Sequence, residues 1–260
     1  RGRGIRARHE ATGLDLYHLH NDDEENLFSF IFKTPPRDNS GVAHIVEHAV
    51  LAGSKAYPIK DPFLVLLKGS LNTFLNAMTY PDKTVYPGAS TVPQDYYNLM
   101  SVYGDAVFFP LLRREIFRQE GVRLQPAREG LEVSGVVYNE MQGNYSSFES
   151  IVGEWSYRGL FPDSSYGYDS GGEPASIREL SYEEFTAYHA EYYHPSNCRV
   201  FLYGDIPTEE QLAFISERFL SSFTAPQGVD ARISPEPDWD APRTLTVDAP
   251  VGTGEEGESE

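Results

Sequence analysis

Ser40-Gly41-Val42-Ala43-His44-Ile45-Val46-Glu47-His48-Ala49-Val50-Leu51-Ala52-Gly53 carries the motif around which the rest of the chain is read. Serine caps helices and glycine ends them, so a helix is expected from Gly41 to about Leu51. On a helix, residues four apart share a face, with Cβ atoms about 5–6 Å from one another. His44 and His48 have that spacing, and Glu47 falls on roughly the same face. Ile45 and Val46 turn to other faces, where they can bury. Two imidazoles so placed can chelate one tetrahedral zinc ion. With seven histidines in the chain, the bland alternative is a solvated helix that happens to carry two unrelated ones.

A catalytic zinc needs three protein ligands and one position open to water. Bound water then ionises near neutral pH, with a pKa of about 7. A carboxylate beside it can take the proton and pass it to a leaving amine. His44 and His48 would be ligands and Glu47 the base; the third ligand must come from elsewhere. Glu140 is the candidate, in Val136-Val137-Tyr138-Asn139-Glu140-Met141. An acidic residue after so apolar a run is expected near the core boundary, where an unpaired carboxylate is costly and a metal would relieve it. The competing reading is a first-turn glutamate favouring the helix dipole.

Outward from the motif, Leu14 to His20 and Leu27 to Lys33 are apolar, alternating runs separated by Asn21-Asp22-Asp23-Glu24-Glu25. They predict a β-hairpin or two adjacent antiparallel strands, ended by Pro35-Pro36. Asp61-Pro62 reads as a helix start. Residues 71–80 and 83–87 read as short strands around Pro81-Asp82. Thr91 and Pro93 open a helix to about Phe109, and another lies near Arg113–Gln119. Leu131 to Val137 reads as a strand, Val137 to Trp155 as helix and Gly167 to Pro174 as a Gly-rich loop. Ser181-x-x-Glu184 is a capping box, followed by Phe185, Tyr188 and Tyr192 at helical spacing. Val200 to Tyr203 is a strand and Thr208 to Phe219 a helix. Strand pairs mixed with helix pairs predict an α+β fold, a mostly antiparallel sheet flanked by helices. Gly252 to Glu260 holds only Gly, Thr, Ser and Glu, so one domain over 1–248 and an acidic linker or tail over 249–260 are expected.

Hydrophobic residues make up 40% and aromatics 13% of the chain, which calls for a packed core. The formal charge of −18 argues against nucleic acid, whose phosphates need clustered Lys and Arg. It favours cationic ligands, or merely a well-solvated surface. Cys198 is the single cysteine, so no intrachain disulfide can form. No apolar stretch reaches the ~18 residues of a membrane span. A bacterial cytoplasm and an organelle matrix both fit.

The stretch from Gly41 to His48 and on through Asp61-Pro62-Phe63 resembles the pitrilysin family of inverzincins, whose His-x-x-Glu-His reverses the commoner zincin order. It looks closest to the presequence protease branch, which includes falcilysin-like enzymes. Further matches are Ser70-Leu71-Asn72-Thr73-Phe74-Leu75-Asn76-Ala77-Met78-Thr79, Leu99-Met100-Ser101-Val102-Tyr103, Gly135 to Met141, and Tyr193-His194-Pro195-Ser196-Asn197. The resemblance implies a single pitrilysin-family (LuxS/metallopeptidase-like) domain. It implies zinc held by His44, His48 and Glu140, with Glu47 as base. It implies peptide binding by strand addition along Asn76-Ala77-Met78-Thr79, where Asn76 could equally be a turn former. The family often adds a second acidic residue behind the histidines; seven positions before Glu140 stands Val133, with Glu132 beside it, so no residue is assigned that role. Members have four homologous domains in two halves, and this chain matches the first alone. The resemblance therefore implies a zinc metalloendopeptidase domain for unstructured peptides such as presequences, completed by a C-terminal half. The alternative is a non-catalytic peptide-binding or scaffold domain.

Overall fold

Phe28, Phe30 and Phe32 alternate along Asn26–Lys33, which puts three rings on one face of a strand. All three are fully buried in the computed structural model, which describes residues 2–128 and 130–248. The expected tail over 249–260 lies outside the described residues. In chain order the elements are β1 (Arg3–Arg8), β2 (Asp15–His20), β3 (Asn26–Lys33), α1 (Val42–Val50), α2 (Pro62–Gly69), β4 (Asn72–Leu75), β5 (Met78–Thr79), β6 (Lys83–Ser90), α3 (Pro93–Phe108), α4 (Arg114–Glu120), β7 (Arg123–Ala127), β8 (Gly130–Ser134), α5 (Val136–Asn144), α6 (Phe148–Leu160), α7 (Pro174–Ile177), α8 (Tyr182–Tyr192), β9 (Cys198–Gly204) and α9 (Thr208–Arg218).

The main sheet runs β1-β2-β9-β3-β6-β4, with the short β5 also on β6. Among the described residues only β2 and β9 run parallel, and every other pair in this sheet is antiparallel. β7 and β8 form a separate hairpin. The fold is thus a mostly antiparallel sheet flanked by helices. Phe30 and Phe32 pack edge-on against Phe108 at the end of α3, and Phe30 also meets Phe219 beyond α9. Ile45, Val46, Ala49 and Val50 bury α1 in the same core.

The structure corrects several local expectations. β2 and β3 are not paired: β9 lies between them, with Val200 opposite Leu16 on one side and Phe30 on the other. The polar turn that looked like a hairpin is tied instead to the end of β9. Asn26 donates to Asp205 Oδ1 at 2.8 Å and accepts the Ile206 N–H at 3.0 Å. Ser40 does not cap α1. The cap is Gly41, at φ 64°, with no side-chain cap hydrogen bond. A Cβ there would stand 2.6 Å from the Gly171 carbonyl oxygen, so this approach of two backbones requires glycine. The strand expected to Val137 stops at Ser134, and the helix expected to Trp155 breaks at Tyr145-Ser146. Ser147 restarts it as the cap of α6, accepting the Ser150 N–H. The capping box at Ser181 forms in both directions.

Candidate metal centre

The site is built on α1 because its helical period turns two sets of residues opposite ways. Ile45, Val46, Ala49 and Val50 face the core, and His44 and His48 face a cleft of about 550 Å³. The two rings stand 4.9 Å apart. Glu140, one turn into α5, closes the third corner: its Oε2 lies 3.7 Å from Nε2 of each histidine. One ligand atom from each residue fits within 4.8 Å of the others, the one such group among the described residues. Ligand atoms about 2 Å from a tetrahedral zinc stand about 3.4 Å apart, so the triangle is near the size such an ion needs.

Both histidines are oriented from behind. His44 Nδ1 lies 3.1 Å from the Gly171 carbonyl oxygen. A carbonyl can only accept, so Nδ1 carries the proton and Nε2 keeps its lone pair for the cleft. His48 Nδ1 lies 3.2 Å from Glu120 Oε2, which fixes the same tautomer. Glu120 is 6% exposed, and its other oxygen accepts from Gln119 at 2.9 Å. Burial alone would lower the His48 pKa, but the Glu120 hydrogen bond and the charges of Glu47, Glu120 and Glu140 outweigh it and raise it. Three carboxylates around two imidazoles in one cleft make a donor set that suits a divalent cation.

Glu47 is 7% exposed. Its Oε2 accepts the Thr79 hydroxyl at 2.8 Å, so Thr79 reaches this carboxylate directly. Asn76, Ala77, Met78 and Thr79 line the same cleft, opposite His44 and His48. Asn76 is turned back on its own backbone, its Oδ1 accepting the Ala77 N–H at 3.0 Å. β5 has a strand partner on one side, β6, among the described residues.

Two features escaped the sequence. Glu120, not an acid seven residues before Glu140, stands behind His48. Glu132 lies on β8, accepting from Gln125 at 2.7 Å. Glu120 carries no signal in the local sequence; the structure places it at the end of α4, where it and Phe117 are the buried residues. Glu140 was expected at the core boundary, yet its side chain is 52% exposed. Burial therefore does not explain its position.

Residues 34–134 match the model of Insulinase (Peptidase family M16), and residues 179–253 match that of the Peptidase M16 inactive domain. The chain belongs to peptidase family M16. It is 44% identical over 257 residues to presequence protease 1, chloroplastic/mitochondrial, of Arabidopsis thaliana, covering 97% of this chain and 24% of that protein. It is 45% identical over 244 residues to the mitochondrial presequence protease of Danio rerio, covering 92% and 24%. It is 49% identical over 226 residues to Protein HypA of Clostridium perfringens, covering 85% and 23%. The chain thus spans about a quarter of the length of these relatives. The fold is shared with the periplasmic protease PqqL of Escherichia coli, at TM-score 0.69 and 18% identity over 90% of this chain and 25% of that one. It is also shared with the ferredoxin protease FusC in complex with Arabidopsis ferredoxin, at TM-score 0.70 and 18% identity over 91% and 25%. No helix among the described residues is long and apolar enough to cross a membrane.

Proposed function

We propose that this chain is the metal-bearing domain of a zinc metalloendopeptidase that cleaves unstructured peptides, targeting presequences among them. One observation carries this: Nε2 of His44, Nε2 of His48 and a Glu140 oxygen converge within 4.8 Å beside Glu47, in an open cleft. His44, His48 and Glu140 would hold the zinc. When bound, the ion would polarise the scissile carbonyl and acidify the attacking water. Glu47 takes the proton of that water and delivers it to the leaving amine, and Thr79 keeps the carboxylate turned toward the cleft. An extended peptide lies along Met78 and Thr79, whose strand pairs on one side only among the described residues. Main-chain pairing there holds many sequences alike. Presequences are Arg-rich and acid-poor, and a chain of net charge −18 attracts them. A C-terminal half, in keeping with the longer relatives, supplies the remaining substrate contacts. A bacterial cytoplasm or an organelle matrix suits this activity.

The test measures metal content and peptidase activity on one purified sample, for the wild type and Glu140→Gln. The expected result is close to one zinc per chain, held more weakly in the variant, with cleavage of a flexible Arg-rich peptide by the chain alone or with its C-terminal half added. Zinc and peptide binding without cleavage in either case leaves a non-catalytic peptide-binding domain. A wild type that takes up no zinc overturns the assignment.

A further inference from the structure

Glu140 and His44 come from distant parts of the chain, so something must set the distance between α5 and α1. Asp169, in the loop between α6 and α7, is 5% exposed and touches both sides. Its Oδ1 accepts the Gly171 N–H at 2.8 Å. The carbonyl of that same Gly171 accepts from His44 Nδ1 at 3.1 Å. The other oxygen of Asp169, Oδ2, accepts the hydroxyl of Tyr145 at 2.8 Å, and Tyr145 is the C-cap of α5. Arg158 donates to that hydroxyl at 3.1 Å from the far side. Burial, then the Asp169 charge, push the Tyr145 phenol up, so it remains a neutral donor. The backbone leaves little slack. A Cβ on Gly172 would stand 2.7 Å from Gly41 Cα, and one on Gly171 would stand 2.9 Å from Met141 Cε. The loop is therefore held against the start of α1 by backbone contact, while its Gly171 rests on the end of the Met141 side chain, next to Glu140.

We propose that Asp169 is a positioning residue that sets the spacing of the metal ligands: Oδ1 holds the Gly171 carbonyl against His44, while Oδ2 holds the end of the helix that carries Glu140. This rests on the zinc assignment above. A carboxylate is suited to the task because it is an acceptor with two oxygens, so a single side chain can take one donor from each partner. Outer hydrogen bonds of this kind commonly change metal affinity about 10- to 100-fold when removed.

The experiment measures zinc affinity by chelator competition and the absorption spectrum of the cobalt(II) form. It compares the wild type, Asp169→Ala, Tyr145→Phe, Glu140→Gln and the double variant Tyr145→Phe/Glu140→Gln. Asp169→Ala should bind zinc about 10- to 100-fold more weakly and shift the cobalt bands. Tyr145→Phe should do the same to a lesser degree. On the Glu140→Gln background, Tyr145→Phe should cost nothing more, because that tie acts through Glu140. If Asp169→Ala does not fold, Tyr145→Phe, which removes one hydroxyl, decides alone. Unchanged zinc affinity and cobalt spectrum with only a lower melting temperature would reduce Asp169 to a loop staple and overturn the proposal, as would additive losses in the double variant. A wild type that binds zinc beside unaffected variants sinks this inference alone; a wild type that binds none sinks both.

Discussion

The two helices that meet at the candidate metal centre are held in opposite ways. In α1, Ala43, Ile45, Val46, Ala49 and Val50 are each at most 1% exposed. Apolar packing on that scale, about 1.5–3 kcal/mol for each large side chain buried, fixes where His44 and His48 point. α5 sits at the margin. Val137, Tyr138 and Met141 anchor it, but Val136 is 42% exposed and the Glu140 side chain 52%. Its register against α1 depends on polar ties through Asp169 and on whatever Glu140 itself binds. The two histidines are thus set by the core, while Glu140, facing them, stays in contact with solvent.

Four outcomes would break or sharpen this contrast. The largest concerns Glu47, which belongs to the core-held side. Glu47→Gln should lower peptide turnover about 10²- to 10⁴-fold while zinc content, read by metal analysis, stays the same. Loss of the metal as well would mean that the base is also part of the ligand frame.

Next comes the packing itself. Ile45→Ala should cost about 2–5 kcal/mol of stability, whereas Val136→Ala on α5 should stay within about 0.5 kcal/mol. Urea unfolding of both variants measures the difference directly, and equal losses would erase the distinction between core-held and edge-held helices.

The two sides should also respond oppositely to pH. His189, on the α8 helix that packs against α1, is held at about 4 by burial, its Nε2–H donating to the Val107 carbonyl at 2.9 Å. Its folded value lies below the ordinary 6.5, so the unfolded chain binds more protons in between. That stability is whole above pH 6.5 and is lost as pH falls toward 4, by on the order of 3 kcal/mol. Glu154, on α6, is raised to about 7 by burial and by Asp169. Its folded form binds the extra proton, so its contribution is whole below the ordinary 4.5 and is lost as pH rises toward 7. In metal-free protein, His189→Gln should flatten the acid limb of the stability profile and Glu154→Gln the limb between 4.5 and 7.

The smallest effect lies within the candidate metal centre. Glu120→Gln keeps an acceptor near His48 but removes its charge, and zinc affinity should fall about 10- to 100-fold. A larger loss than that of Glu140→Gln would show that the buried carboxylate matters more than the exposed ligand.

Features written within one or two helical turns were legible in advance. That His44, Glu47 and His48 line one cleft from a single helix needed only the helical period, and the Ser181–Glu184 capping box needed only a three-residue spacing; the structure forms both locally. Glu140 was expected beside the histidines from its place after an apolar run and from the family resemblance; its solvent exposure contradicts the burial argument and leaves the resemblance. Glu120 carried no spacing to the motif that could be read, since it reaches His48 from a separate helix.

The sequence by itself determined that His44 and His48 share one face of α1, the class of fold and the family, because each depends on residues near one another or on a pattern spread along the whole chain. Only the tertiary structure decided that β9 enters between β2 and β3, that Glu120 stands behind His48, and that Asp169 links the loop behind His44 to the helix of Glu140. The reason is physical. Local periodicity says which face of an element is apolar, but the backbone hydrogen bonds of a strand and the lone pairs of a carboxylate accept any partner of suitable geometry. Which partner arrives is settled by how the core packs, and no stretch of sequence records that alone.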